Sequence, residues 1–349
     1  MTGLLRPSAG ARRLVAWLAA KRPKSLLILT HDHPDPDALA SAWALALVAH
    51  RVGRTRARIA YGGIVGRREN LTMLESLEVP AYPLKAGDLD APAIALVDTQ
   101  PPFRNNRFPF PKRTTPDIVV DHHPRSPDTR ARLAVIDTTV GATTTLMAEA
   151  MVAAGAPVSR RLATAIVYGI GSETQNLGVE TSPRDAAAYT AFLPKASLSA
   201  LWRIAHPRHP ASFFATLSRG IRGAFTWRDV IGVHLRELST PDRVAHMADF
   251  LLTHEGMRWS IVTGRFDGRL HISLRTMSEA VHAGRLLRQL VGGGHRAGGH
   301  RMMAGGSVEV GRGAPERVWR RAEDRVVADF LRQRGAADRA RPEHPFRET

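Results

Sequence analysis

The sequence predicts an α/β protein: a mostly parallel sheet with helices on both faces, then a smaller α/β C-terminal domain across a cleft. Three observations carry this prediction. Short apolar runs alternate with Ala/Leu-rich helical stretches through the first half, the rhythm of βαβ units. After residue 225 the rhythm changes to closely spaced strands with fewer helices between them. The chain has 349 residues, 44% of them hydrophobic, which suffices for about two folded domains.

Residues 25–30 (SLLILT) form an apolar run of the kind found in a strand buried on both faces. An Ala/Leu-rich helix follows over 37–50, then a weaker strand over 56–61. Residues 93–98 (AIALVD) and 117–121 (DIVVD) are two further buried strands, and 141–154 and 159–170 read as helices. A helix-rich stretch over 182–220, broken at Pro194, Pro207 and Pro210, suits a connector. Strands are then expected over 230–235, 259–266 and 270–275, with helices over 242–253 and 279–290. A Gly/His-rich loop spans 292–299, and a closing helix 317–334. The domain boundaries expected are 1–195, a connector over 196–225, 226–335, and a polar, frayed tail over 336–349.

Composition narrows the chemistry. The formal net charge is +17, with Arg far outnumbering Lys, which favours an anionic partner, nucleic acid or nucleotides first. A merely solvated basic surface is the plainer alternative. The absence of cysteine excludes disulfides, thiolate metal sites and cysteine nucleophiles, so any metal site must use His and carboxylate. No apolar run approaches the roughly 20 residues a membrane span needs, and no membrane partner is expected. No acid precedes Asp32, and Arg12 and Arg13 precede an apolar stretch that could imitate a targeting peptide. Lys21 and Lys24 interrupt that stretch directly before a strand, so an amphipathic helix covering the sheet is the preferred reading. The expected location is the cytoplasm.

Three apolar strands stop at acids or histidines. The first runs into His31-Asp32-His33-Pro34-Asp35-Pro36-Asp37, the second into Asp98, the third into Asp121-His122-His123-Pro124. Parallel α/β sheets bind ligands at the carboxyl ends of their strands. An Asp-Pro cluster alone is as readily a turn with a helix cap, and Asp37 could be that cap. Three such endings on one edge are harder to explain without a cation, because converging carboxylates repel. Oxygen and imidazole donors suit Mn²⁺ or Mg²⁺, and there are enough for two ions. Sites of that kind commonly hydrolyse phosphate esters, one ion activating water and both clamping the displacement.

These segments resemble the motifs of the DHH phosphoesterase family, named for the triplet at Asp121-His122-His123. HDHPDPDALAS at 31–41 is similar to its first motif, VDTQ at 97–100 to its second, and VDHHP at 120–124 to its third. The resemblance implies that His31 and Asp35 hold one metal and that Asp37 and His122 hold the other, with Asp98 bridging. It implies catalytic roles for His123, beside the reacting phosphate as donor or proton handler, and for Asp121, which would orient the histidines. The fourth motif departs from the pattern: in Gly169-Ile170-Gly171-Ser172-Glu173-Thr174-Gln175, Glu173 stands where the family has Asp. Glu173 is expected to ligate, with a surface Glu as the plainer alternative. The small-and-hydroxyl stretch 141–146 (GATTTL) opens a helix whose N–H groups could attract phosphate, or be a plain Thr cap.

The loop Gly292-Gly293-Gly294-His295-Arg296 lacks the P-loop pattern, but three consecutive glycines permit close approach of a ligand to backbone. Its place after the DHH triplet resembles the GGGH loop of the family's associated C-terminal domain. Arg275 sits where that domain often places a substrate-binding Arg. The resemblance thus implies substrate contacts from Arg275, Gly293, Gly294 and His295, facing the metals across the cleft. It covers roughly residues 24–335.

Within the family, the two-domain build is similar to NrnA-type oligoribonucleases, which degrade very short RNA and often dephosphorylate 3′-phosphoadenosine 5′-phosphate. The expected function is therefore hydrolysis of short oligonucleotides by a metal-bound hydroxide, with two Mn²⁺ (or Mg²⁺) ions. The expected partner is short RNA or a nucleotide, and a homodimer stays open. Alternatives are a cyclic or linear dinucleotide phosphodiesterase, a RecJ-like single-strand exonuclease and, in a different class, a catalytically weak nucleotide-binding protein.

Overall fold

The computed structural model describes residues 5–111, 113–278, 280–293, 297–299, 301–336 and 342–346. The chain divides into two compact units, Met1–Pro207 and Arg208–Thr349.

The first unit runs α1 (Ala9–Lys21), β1 (Ser25–Leu29), α2 (Pro36–Gly53), β2 (Arg56–Tyr61), α3 (Arg68–Ser76), β3 (Ala81–Pro83), β4 (Ile94–Val97), β5 (Ile118–Asp121), β6 (Leu133–Ile136), α4 (Thr143–Ala153), α5 (Arg160–Glu173), α6 (Pro183–Phe192) and α7 (Leu198–Ala205). The six strands form one parallel sheet in the order β3-β2-β1-β4-β5-β6. Strand β1 is buried on both sides, and its period-two alternation divides it between two cores. Leu26 and Ile28 join Leu14, Leu18, Leu39 and Leu146 from the covering helices. Leu27 and Leu29 join Ile94, Leu96, Val119 and Phe108 on the opposite face. The expected N-terminal amphipathic helix is α1, capped by Ser8, with Leu14 and Leu18 against the sheet.

The strand order decides where a ligand would bind. β1 lies between β2, which follows it through α2, and β4, on the other side. Chain progression therefore reverses between β1 and β4, and the connections leave a crevice at their carboxyl ends. Residues 30–37 and 98–100 leave β1 and β4 at that crevice, and residues 121–124 leave β5 beside it.

The second unit runs α8 (Ala211–Gly223), β7 (Phe225–Trp227), β8 (Val230–Glu237), α9 (Arg243–Leu251), β9 (Trp259–Phe266), β10 (Arg269–Thr276), α10 (Ala283–Leu290), β11 (Ala297–Gly299), β12 (Met303–Glu309) and α11 (Glu316–Gln333). Its mixed sheet has the order β11-β12-β10-β9-β8-β7; β8 and β9 are parallel, joined by α9, and the other pairs are antiparallel. Trp259 and Phe330 fill the core between β9 and α11, their rings 5.6 Å apart. Beside it, Arg265 lies buried between Glu323, wholly buried, and Glu316, with donor distances of 2.7 Å (Nε to Glu323) and 3.1 Å (Nη2 to Glu316).

The stretch expected as a connector falls into two parts. Ala200 and Ile204 of α7 pack into the first unit's core, and α8 belongs to the second unit. The described part of the C-terminal tail is anchored: Glu343 exchanges backbone hydrogen bonds with Thr226, 2.8 and 2.9 Å long. Among the described residues, no helix is long and apolar enough to cross a membrane.

Candidate metal centre

Every candidate ligand in the first unit but Glu173 comes from a strand end or from the start of the helix that follows it. His31 leaves β1 after Thr30, and Pro34 and Pro36 stiffen the turn into α2. Asp35 is the N-cap of α2, its Oδ1 accepting from Ala38 N at 2.9 Å. The cap offered for Asp37 from sequence is thus Asp35, with Pro36 at the first helical residue. The second oxygen of Asp35 stays available and lies 3.5 Å from His31 Nε2.

Asp37 is wholly buried and does something else. Its Oδ2 accepts from Thr143 N at 2.8 Å and its Oδ1 from Thr144 N at 2.7 Å. These are the first N–H groups of α4, so the helix start considered for a phosphate is spent on a carboxylate of the protein itself. The helix dipole favours that negative charge. Thr143 does more: its hydroxyl donates to Asp98 Oδ1 at 2.8 Å and accepts from His122 N at 3.2 Å. One threonine therefore ties three of the candidate residues together.

Asp98 is the centre of the arrangement. It has φ +59°, a left-handed backbone that costs a residue with a side chain on the order of 1–3 kcal/mol. The bend turns its carboxylate back over the strand ends. Oδ2 lies 3.5 Å from His31 Nε2, while Oδ1 lies 3.6 Å from His122 Nε2 and 3.6 Å from His123 Nδ1. His31, Asp35 and Asp98 bring donor atoms within 4.8 Å of one another, and so do Asp98, His122 and His123. The two groups share Asp98. His122 Nε2 is also 3.9 Å from Asp37 Oδ2.

Asp121 ends β5, wholly buried, and accepts from His123 Nδ1 at 2.8 Å and from His123 N at 3.1 Å. Phe103 meets the ring of His123 edge-on at 6.4 Å. Glu173 is the last residue of α5, close enough for its charge to act on Asp37 and His123.

The electrostatics follow from crowding. Burial, then Asp98, Glu173 and Asp35, push the Asp37 carboxyl well above the usual carboxylate range. Burial opposes charge on Asp35 too, but His31 beside it holds that carboxyl well below the range. Burial would lower both His31 and His123. For His31 the charges of Asp35 and Asp98 outweigh it and raise the imidazole well above its ordinary value. For His123, Asp121 and Asp98 raise it to about 10. Carboxylates packed this tightly, with only imidazole and oxygen donors, fit divalent cations, which relieve the repulsion that otherwise has to be met by protons.

Sequence reasoning placed His31, Asp35, Asp37, Asp98, Asp121, His122, His123 and Glu173 in one region, and the structure brings them together. It missed Thr143 and Gln100, which organise the centre. Thr143 stands in a stretch noted for another purpose, and Gln100 closes the VDTQ stretch, where only Asp98 was given a role. In the second unit, Arg275 is buried, its guanidinium paired with Asp249 and donating to the carbonyls of Leu274 (3.1 Å) and Ala304 (3.3 Å). An anion at Arg275 would have to compete with Asp249. Gly293 adopts φ +84°, which glycine alone takes freely, and its N–H donates to Arg288 O at 2.7 Å, closing α10. Gly294 and His295 lie outside the described residues.

Two family descriptions match the chain. The DHH family N-terminal domain matches residues 25–170, and the DHHA1 domain matches residues 229–325. The chain carries a DHH domain and a DHHA1 domain. The first three motifs that resembled this family thus sit within the residues matched to the first domain, on the strand ends described. An uncharacterized protein of Methanocaldococcus jannaschii is 34% identical over 290 residues, covering 82% of this chain and 58% of the relative. The chain spans little more than half the length of that relative. Among solved structures, an exopolyphosphatase-related protein from Bacteroides fragilis has a similar fold, with a TM-score of 0.72 at 14% identity over 94% of this chain and 98% of that one. RecJ from Thermus thermophilus, solved in complex with Mn²⁺, is similar with a TM-score of 0.53 at 16% identity, over 95% of this chain and 56% of that one.

Proposed function

We propose that this DHH-domain protein is a two-metal-ion phosphoesterase that hydrolyses short oligonucleotides and, as a related activity, 3′-phosphoadenosine 5′-phosphate. The observation that carries the reading is Asp98: one buried carboxylate shared by two groups of His and Asp donors, at the carboxyl edge of a parallel sheet. In this reading His31 and Asp35 would hold one ion, Asp37, His122 and Glu173 would hold the other, and Asp98 would serve both. Bound ions would activate water and neutralise charge on the phosphate.

The chain's own residues do the rest. Asp121 holds His123 at Nδ1, and His123 is proposed to donate through Nε2 to a phosphate oxygen or leaving group. The α4 N-terminus and Thr143 hold Asp37, Asp98 and His122 in place. Arg275, with the Gly293-Gly294-His295 loop, is proposed to hold the base or terminal phosphate of a substrate a few nucleotides long. Mn²⁺ is the proposed ion because the donors mix imidazole with carboxylate.

A substrate panel tests the reading: dinucleotide RNA, longer RNA, single-stranded DNA, 3′-phosphoadenosine 5′-phosphate and cyclic dinucleotides, each with Mn²⁺ and with a chelator. Chelator-sensitive turnover fastest on dinucleotide RNA supports it. Turnover confined to long strands or to cyclic dinucleotides replaces it with an exonuclease or dinucleotide phosphodiesterase. Binding without turnover makes the protein a nucleotide-binding one.

A further inference from the structure

We propose that Gln100 is a positioning residue for His123, acting through Asp121; the inference rests on the role given to His123 above. Gln100 is wholly buried, where an amide needs every partner it can find. Its Nε2 donates to Asp121 Oδ2 at 2.7 Å, with the carbonyls of Pro124 and His123 farther off at 3.3 and 3.4 Å. Its Oε1 accepts from Ser126 N at 2.9 Å and from Thr129 Oγ1 at 2.7 Å.

The orientation of the amide is determined by its neighbours. Ser126 N can only donate, so the oxygen must face it, and the NH₂ must face Asp121. The carboxylate of Asp121 is thereby divided: Oδ2 belongs to Gln100, and Oδ1 to the backbone and ring of His123. The bond at Oδ2 opposes rotation of the carboxylate, so Oδ1 stays where His123 Nδ1–H meets it. That keeps the ring in one rotamer, with Nδ1 on Asp121 and Nε2 directed away from it. The same amide ties residues 126–129 to this chain of contacts. No shorter or charged side chain does both jobs. Asn lacks the reach, and a Glu carboxylate would oppose Asp121 with a second acceptor.

The test measures kcat and KM on bis(p-nitrophenyl) phosphate with Mn²⁺ for the parent, Gln100→Met, His123→Ala and the double variant, by single turnover with excess enzyme where rates are low. Gln100→Met keeps the volume and removes both contacts. The expected result is a fall in kcat of about 10- to 100-fold, the usual effect of losing a group that orients a working histidine, with KM changed less than about twofold. In the His123→Ala background the same substitution should cost less than about twofold, because the residue it positions is gone. Losses that multiply, or a loss in KM or Mn²⁺ affinity instead of kcat, overturn the proposal and leave the reading of the site intact. His123→Ala at the parent's kcat overturns that reading, and the proposal with it. Should Gln100→Met not fold, Thr129→Val removes one of the two donors that orient the amide. It should give a smaller kcat loss that also vanishes without His123, and a loss that persists there overturns the proposal.

Discussion

At Glu173 the sequence leaves the family pattern, and the structure gives the departure a physical setting. The residue closes α5, with Thr174 N still bonded to Ile170 O at 3.0 Å, so its Cα is held by a helix. Beyond it, Gln175, Asn176 and Leu177 all have left-handed backbones, at φ 47, 57 and 67°. A backbone fixed in this way should not follow a shorter side chain. Glu173→Asp is therefore expected to lower activity, although Asp is the family's residue. Glu173→Gln should weaken Mn²⁺ binding and recover part of its activity at high Mn²⁺. Mn²⁺ dependence of the rate checks both, and a Gln variant with the parent's profile would make Glu173 a loop residue. At this scale the ligands were legible because acids and histidines ended apolar strands. Thr143 and Gln100 were not, because their importance lies in partners over 20 residues away that only the folded sheet brings near.

Helix α4 shows how an element can be read correctly in place and wrongly in purpose. Its start, with small and hydroxyl residues, was legible as an anion site. The anion turned out to be Asp37, wholly buried on the facing helix. Thr143→Ala keeps the helix N–H groups but removes the hydroxyl that joins Asp98 to His122. Metal affinity should fall by about 10-fold with little change in helix content, as titration with Mn²⁺ would show. In the second unit, α11 supplies Glu323, wholly buried against Arg265 of β9 and Arg236. Glu323→Ala takes away the buried partner of Arg265 and leaves it only the half-exposed Glu316, and should destabilise that unit by about 1–3 kcal/mol in denaturant unfolding. Strands β9 and β10 were legible from their apolar runs, whereas β11 and β12 carry glycines and a Met in place of a β-branched pattern.

On the scale of the whole molecule, two units with separate cores suit separate tasks, and pH should affect them differently. His234 in β8 is held below its ordinary value, by burial first, despite Glu323 and Asp324. In the unfolded chain it takes up a proton near pH 6.5. The folded state binds that proton less readily, so this residue's contribution to stability is intact above about pH 6.5 and is lost as pH falls below it. Unfolding of His234→Gln should therefore lose less stability than the parent between about pH 7.5 and 5.5. The two-domain division itself was legible from the change in strand spacing. Its position between α7 and α8 was not, because whether a helix packs forward or backward depends on contacts such as those of Ala200 and Ile204.

Whether two ions share Asp98 is read from equilibrium binding of Mn²⁺. The parent should bind two ions per chain. Asp98→Asn keeps the shape but removes the charge both ions would share, and should weaken both by at least about 10-fold while the fold persists. An Asp98→Asn variant that loses one ion and binds the other as the parent does, or a parent that binds a single ion at saturation, would show that Asp98 is not shared by two ions.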